Sequence, residues 1–262
     1  MRAAALVLLA IACAPQAARA QAPPTSSGFG NKGLTGEVQL TGSNATGNTE
    51  AAEAGFGVRL RYEGRRWRHA LGGVYDFASA EGDQTRNRLF VDSSGDLAFI
   101  GRLFGFSSGS YERDAFSGYE FRGVLAAGLG YDILKDHGRR WTMRVGPGFR
   151  VERNRALLDP ATGLLNDADT VVTGVLNVES DFIVPLSGTA EFSNRSGVRA
   201  GEASTNIVNT TALTTQVLKD LSLRLSFQVI HETFPPLGAE ATDTITRVGV
   251  VYKFRSSKTI VR

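Results

Sequence analysis

Residues 52–62 read AEAGFGVRLRY and alternate strictly between two kinds of side chain. Apolar or aromatic residues occupy the even positions, and glycine, glutamate or arginine occupies the odd positions. A period of two residues indicates a β-strand with one apolar face and one polar face. The stretch before it, GLTGEVQLTGSNATGNTE (33–50), alternates in the same way and then passes through turn residues. Together the two stretches predict a β-hairpin.

The same alternation returns along the rest of the chain of 262 residues, and no apolar stripe of helical period accompanies it. We predict about twelve strands from this pattern. Their approximate bounds are 35–44, 50–62, 67–80, 84–98, 103–113, 119–134, 141–155, 170–182, 187–199, 204–218, 221–234 and 243–254. The sequence therefore predicts an all-β protein.

The polar faces of these strands distinguish a soluble sandwich from a membrane barrel. Many segments exceed ten residues, as strands that cross a membrane do, whereas strands of globular proteins average about five or six. An arginine facing lipid at mid-depth would cost about 2–4 kcal/mol, so the charged face must line the lumen. Because backbone hydrogen bonds must all be made within lipid, we expect a closed antiparallel transmembrane β-barrel spanning residues 33–254.

This register predicts a network of ion pairs inside the barrel, because arginines and carboxylates alternate along the polar faces. The candidate members are Glu37, Glu53, Arg59, Arg61, Arg68, Asp76, Asp92, Asp96, Arg122, Arg144 and Arg150. A twelve-stranded barrel is intermediate between small filled barrels and open porins. So many charged side chains favour a largely filled interior that passes small ions at most.

The connections after even-numbered predicted strands differ from those after odd-numbered strands. The turns after even-numbered strands are short and rich in arginine and lysine, such as EGRR (63–66) and KDHGRR (135–140). The two longest connections, 155–169 and 235–243, follow odd-numbered strands. Outer-membrane barrels have short periplasmic turns and long outer loops, with aromatic girdles at both interfaces. The candidate girdle residues are Trp67, Trp141, Tyr252 and Phe254.

The ends of the chain read as segments outside the barrel. Residues 1–20 have a positively charged start, a short apolar run and the small-residue site Ala18-Arg19-Ala20, which together indicate a cleavable secretory signal peptide. Lipoprotein processing at Cys13 is disfavoured, since Ala10 stands where a leucine is expected. Residues 21–32 form a linker rich in proline, serine and glycine, and residues 255–262 form a C-terminal tail.

Few residues suggest chemistry. We expect no catalytic residue, no cofactor and no metal site, and the dispersed basic residues argue against nucleic-acid binding. His137 falls in a turn, whereas His69 and His231 fall on the outward face without a nearby serine to activate. Glu112, Arg113 and Asp114 lie together at an outer strand end. They predict either a structural ion-pair cluster or a loop site for divalent cations or lipopolysaccharide.

Four blocks of sequence resemble the salt-induced outer membrane protein (YdiY-like) family. They are GEVQLTGSNATGNTE (36–50), YERDAFSGYEFRGVLAAGLGY (111–131), RVGPGFR (144–150) and DTITRVGVVYKF (243–254). The resemblance implies an outer-membrane β-barrel of a Gram-negative bacterium and brings no catalytic residues. In one departure, RSSKTIVR follows Phe254, whereas such barrels commonly finish on an aromatic residue that the insertion machinery reads.

Two hypotheses of function follow. The first is a non-enzymatic envelope protein, structural or forming a narrow channel, with a link to salt or osmotic stress that comes from the family resemblance. The second is an outer-membrane enzyme that acts on lipid in the manner of a phospholipase. The expected partners are outer-membrane lipid, lipopolysaccharide and the barrel-insertion machinery, and the oligomeric state is left open.

Overall fold

A computed structural model of the protein describes most of the chain beyond residue 32. The described residues are 33–45, 51–80, 82–117, 119–158, 165–166, 168–202, 204–235 and 241–256. The predicted signal peptide (1–20) and linker (21–32) lie outside these residues, as do positions 257–262 of the predicted tail. No α-helix within the described ranges is both long enough and apolar enough to cross a membrane.

The described residues form fourteen β-strands. They are β1 (Gly33–Ala45), β2 (Ala51–Glu63), β3 (Trp67–Ala80), β4 (Asp83–Ile100), β5 (Leu103–Asp114), β6 (Tyr119–Asp136), β7 (Arg139–Asn154), β8 (Leu157–Leu158), β9 (Leu165–Asn166), β10 (Thr170–Pro185), β11 (Ala190–Gly201), β12 (Thr205–Gln216), β13 (Leu221–Glu232) and β14 (Thr242–Ser256). Strands β8 and β9 pair only with each other, in the long connection between β7 and β10.

The remaining twelve strands form one closed antiparallel barrel, so the predicted fold class and strand number are confirmed. Each strand pairs with its neighbours along the chain, and β14 pairs with β1 to close the cylinder. This closing pair joins eight residue pairs, from Leu34–Ser256 to Thr41–Gly249, whereas thirteen join β1 to β2. Strand β14 ends at Ser256, two residues beyond the predicted boundary at 254.

The faces of the strands are inverted relative to a soluble protein. Arg88 is fully buried, whereas Leu40 is 59% exposed. Other large apolar side chains are also exposed, among them Phe56, Leu125 and Val248. Ionised groups in such numbers are almost never buried in a soluble protein unless they are paired. The barrel therefore presents an apolar exterior and encloses its charged residues.

One region of the exterior is polar. Asn194, Ser196, Asn209 and Thr211 lie on the outward faces of β11 and β12. The Asn194 amide donates hydrogen bonds to the Thr211 hydroxyl at 2.8 Å and to the Asn209 side-chain carbonyl at 3.3 Å. Asn209 donates to the Ser196 hydroxyl at 2.8 Å. These polar groups satisfy one another, which lowers the cost of placing them on an apolar surface.

The turns after β2, β4, β6, β10 and β12 lie at one rim, together with the start of β1 and the end of β14. All four predicted girdle residues are exposed near this rim. Trp67 stacks on His69 with ring centroids 5.8 Å apart. Trp141 meets Phe182 edge to face at 6.4 Å and donates a hydrogen bond to the Ser180 hydroxyl at 3.0 Å. Aromatic side chains with a polar handle suit a membrane interface.

Candidate functional site: the ion-pair network of the lumen

The structure places all eleven of the predicted network residues on the lumen side of the barrel. The alternation of side chains along a strand explains this placement. Each of these residues is separated by an even number of positions from the other inward-facing residues of its strand. Glu37, Arg59, Arg68, Asp76, Asp96, Arg122 and Arg150 are buried. The remaining four, Glu53, Arg61, Asp92 and Arg144, are partly buried.

Small residues allow ion pairs to form across an intervening strand. Arg59 on β2 and Asp92 on β4 both pair in register with Gly72 on β3. Their side chains meet at 2.7 Å directly above this glycine. A Cβ atom at Gly72 would come within 2.5 Å of both. Arg86 and Glu53 meet at 2.8 Å over Ala78 of β3 by the same arrangement.

Asp96 on β4 is the centre of a second group. It pairs with Arg68 on the neighbouring strand β3 at 2.9 Å and with Arg144 on β7 at 3.0 Å. Both guanidinium groups also contact the ring of Phe104, whose centroid is 4.7 Å from the Cζ atom of Arg68 and 5.5 Å from that of Arg144. Gly130 on β6 provides the space for this ring, since a Cβ there would overlap it. Cation–π contacts therefore add to the ion pairs.

A third group surrounds Asp76 on β3. Its carboxylate pairs with Arg88 on β4 at 3.2 Å and with Arg247 on β14 at 3.4 Å. Arg88 also pairs with Glu112 at 2.7 Å. Strands β14 and β3 are three positions apart around the barrel, so the contact of Arg247 with Asp76 spans part of the lumen.

The fourth group joins opposite walls near the rim of the long loops. Glu232, at the end of β13, pairs with Arg122 on β6 at 3.4 Å and with Arg150 on β7 at 3.2 Å. It also accepts a hydrogen bond from the Ser204 hydroxyl at 2.9 Å. Arg122 and Arg150 share Glu152 as a second carboxylate partner. Strands β13 and β6 are five positions apart in a ring of twelve, so Glu232 bridges the lumen.

The structure does not bring Glu112, Arg113 and Asp114 together as an outer-loop cluster. Strand β5 continues through Asp114, so adjacent side chains point to opposite faces. Glu112 and Asp114 are buried on the lumen side, whereas Arg113 is exposed. Asp114 accepts a hydrogen bond from the backbone N–H of Phe116 at 2.9 Å and so stabilises the turn after β5. This prediction of a shared site is therefore corrected.

Several members of the network were not among the candidates. Arg224 on β13 pairs with Glu37 on β1 at 3.4 Å. Other added members are Arg86, Arg88, Asp132, Glu152, Glu179, Asp181, Arg195, Glu232 and Arg247. Most lie on the polar face of a predicted strand, so alternation carried over every strand would have found them.

The described side chains leave small cavities in the lumen. The first lies mainly among charged groups and leaves about 90 Å³ for the centres of water molecules. The second, between β1–β3 and β12–β14, leaves about 60 Å³. A single water needs about 10–15 Å³ by this measure, so each cavity holds a few waters. Over the described residues, the interior is largely filled.

The described contacts of His231 do not assemble a base-activated nucleophile. The Nδ1 atom of His231 lies 2.8 Å from the hydroxyl of Thr242 on the neighbouring strand. The adjacent carboxylate, Glu232, is buried on the other face and pairs across the lumen. Base-activated nucleophiles need a third group that orients the base, and Glu232 is not placed to do this. Within the described ranges, no three His, Cys, Asp or Glu side chains converge to hold a metal ion.

Three solved structures are similar to this chain, and the first of them supports the fold. The translocator domain of the autotransporter NalP from Neisseria meningitidis is 16% identical, with 86% of this chain and 89% of that chain covered and a TM-score of 0.53. The NanC porin is 12% identical over 84% and 100% of the two chains, with a TM-score of 0.48. An outer membrane channel from Pseudomonas putida F1 is 9% identical over 90% and 100%, with a TM-score of 0.48.

The family comparison covers most of the barrel. A search of curated proteins gave no match to the chain. The sequence profile described as "Protein of unknown function, DUF481" matches residues 38–254, from the first strand of the barrel to the last. The protein, an antiparallel barrel of twelve strands with a charged interior, therefore belongs to the DUF481 family.

Proposed function

We propose that the protein is a non-enzymatic β-barrel of the bacterial outer membrane, either purely structural or a narrow channel for small ions. The observation that carries this proposal is the pairing of Glu232 with Arg122 and Arg150 across the lumen. Such pairs hold the interior closed to large solutes. The exposed apolar side chains on the outside support the membrane location.

Recordings from single barrels in planar lipid bilayers test the closed interior. We expect either no steps or small, brief ones, because the cavities between the lumen side chains hold only a few waters. Large solutes such as oligosaccharides should not permeate. A steady conductance in the range of general porins would contradict the proposal.

Cell fractionation tests the location. We expect the protein in the outer-membrane fraction, with lipid and lipopolysaccharide as its surroundings and the barrel-insertion machinery as its partner during assembly. The unboiled protein should migrate differently from the boiled protein on a detergent gel, because a closed barrel resists unfolding by detergent. A folded monomer in the aqueous fraction would refute the location.

Repeating the fractionation after growth at raised salt tests the link to salt stress, which is supported by the sequence resemblance alone.

The alternative, an enzyme that acts on lipid, is supported by the contact of His231 with Thr242. We expect the purified barrel to release no fatty acid from micellar phospholipid above the level of a buffer blank. The variant His231→Ala should give the same result as the unaltered protein. Release of fatty acid that His231→Ala abolishes would favour the enzyme.

A further inference from the structure

A groove runs along the outer surface of the barrel over β5. Its floor includes a row of small residues in register on three neighbouring strands, Gly95 on β4, Ser107 on β5 and Ala127 on β6. The groove leaves about 900 Å³ for the centres of water-sized molecules, against about 90 Å³ in the larger lumen cavity. Pockets that bind small ligands enclose about 300–1,000 Å³. The groove is therefore large enough for part of a lipid molecule.

Large apolar side chains form the walls of the groove. Trp67 and Phe99 lie on the side of β3 and β4, and Leu125 and Phe149 lie on the side of β6 and β7. All four are about half exposed. The floor must be small beneath them, since a Cβ atom at Gly105 would lie 2.7 Å from the Phe99 ring. Walls and floor of this kind suit an acyl chain, which gains by leaving polar surroundings and makes no hydrogen bonds.

The groove extends from the rim of the short turns to the middle of the barrel wall. Gly109 is the last residue of β5 that lines it. This glycine lies about 24 Å along the strand from Arg102, at about 3.4 Å per residue, and a strand tilt of about 40° reduces this to about 18 Å of depth. One leaflet with its headgroups is about 20 Å deep. A lipid with an acyl chain in the groove would therefore have its headgroup at the turn that holds Arg102.

Two arginines lie at this headgroup end. Arg66 precedes Trp67, and its backbone carbonyl accepts a hydrogen bond from the N–H of Ala98 at 2.8 Å, which places the β2–β3 turn beside the end of β4. Arg102, in the turn after β4, donates a hydrogen bond to the Ile133 carbonyl at 2.8 Å. Both arginine side chains are exposed. Guanidinium groups bind phosphate through paired hydrogen bonds, so the two turns suit an anionic headgroup.

We propose that this groove binds one anionic phospholipid, with an acyl chain over Ser107 and the phosphate group at the turns that hold Arg66 and Arg102. The proposal rests on the membrane location proposed above and extends it, because it distinguishes one lipid from the surrounding bilayer. The short turns of outer-membrane barrels face the periplasm, so this lipid belongs to the periplasmic leaflet. Zwitterionic phospholipids offer the same acyl chains but carry a positive group beside the phosphate. The site should therefore prefer phosphatidylglycerol to phosphatidylcholine.

Tryptophan fluorescence of the full chain in lipid vesicles tests the site. The chain has two tryptophans, so the variant Trp141→Phe leaves Trp67, in the groove, as the only reporter. Lipids with brominated acyl chains quench tryptophan on contact. We expect brominated phosphatidylglycerol, diluted in ordinary phosphatidylcholine, to bind beside Trp67 about tenfold more tightly than brominated phosphatidylcholine does. Both leaflets of such vesicles have the same composition, so the direction of insertion does not affect the result.

Two changes in this single-tryptophan background separate the charges from the groove, and each has a matched control. Arg66→Gln combined with Arg102→Gln should lower the tenfold preference to about twofold, whereas Arg113→Gln, exposed at the opposite rim, should leave it unchanged. Ser107→Phe fills the floor of the groove and should lower the preference by a similar factor. Thr246→Phe adds the same ring to the exposed outer face of β14 and should not. The gel shift between unboiled and boiled protein reports whether each variant is folded.

The outcomes distinguish failure of the site from failure of the membrane location. Equal quenching of Trp67 by the two brominated lipids, or an unchanged preference without the two arginines, would overturn the site and leave the location intact. Protection of Trp67 from both lipids in the inserted barrel would show that a second copy covers the groove, which also overturns the site. A folded barrel that does not enter the vesicles would contradict the location itself, and the site with it.

Discussion

Replacing Glu232 by glutamine is expected to destabilise the barrel by about 3 kcal/mol, because two buried guanidinium groups lose a shared carboxylate. Arg122 and Arg150 contact Glu232 at 3.4 and 3.2 Å and would then share Glu152 alone. Glutamine keeps the shape of the side chain and can still accept the hydrogen bond from Ser204. The loss is therefore assigned to charge rather than to packing. The measurement is the free energy of unfolding in urea, in lipid vesicles.

The matched control is Glu120→Gln near the same rim. Glu120 pairs with Arg153 at 2.9 Å, but both side chains are nearly half exposed. Exposed pairs of this kind contribute at most about 1 kcal/mol. Equal losses for the two variants would show that Glu232 is solvated like a surface residue and does not bridge the lumen.

A second large effect is expected from Gly146→Ala on β7. A Cβ atom at this position would overlap the backbone carbonyl of Ala127 and lie 2.7 Å from the Cα atom of Gly128. Backbone atoms cannot turn aside as a flexible side chain can, so β6 and β7 would have to separate. Overpacking costs about 1–3 kcal/mol and occasionally more, and we expect the upper end here. The measurement is again the unfolding free energy, together with the fraction of protein that shows the gel shift.

Gly174→Ala on the adjacent strand β10 is the control for this substitution. Apart from its chain neighbours, no described residue has a heavy atom within 4 Å of the position where its Cβ would be. The variant should be neutral or slightly stabilising, since alanine restricts the unfolded chain by about 0.4–1 kcal/mol more than glycine does. If both alanine variants unfold at the same urea concentration, the close approach of β6 and β7 is not tight enough to exclude a methyl group.

Strand number and face could be predicted from the sequence because lipid and lumen impose opposite requirements on alternate residues. The alternation at 52–62 alone indicates which residues of β2 face inward. The identity of the ion-pair partners could not be predicted in this way. Arg122 and Glu232 are 110 residues apart, and they meet only because the sheet curves through a full circle. The alternation along a strand specifies which face a side chain is on. Its partner across the lumen depends on how the barrel closes and on the stagger between neighbouring strands.

The one cluster that was wrongly predicted also shows that sequence alone does not reveal which side chains meet, here for residues adjacent in the chain. Glu112, Arg113 and Asp114 are adjacent in sequence, and the prediction placed them together at the outer end of a strand. Within a strand, adjacency separates side chains, because neighbours point to opposite faces. Strand β5 ends at Asp114, one residue beyond the predicted bound at 113, so the alternation separates all three side chains.

The shortest pairing in the barrel, between β1 and β14, has a consequence for the order of assembly. Every other pair in the cylinder joins strands that succeed each other along the chain, whereas Leu34 and Ser256 are separated by nearly the full described length. Bringing such distant segments together carries the largest loss of chain entropy, so we expect this seam to form last. Until it forms, the chain is a curved open sheet with two unpaired edges, and these edges would pair readily with another copy.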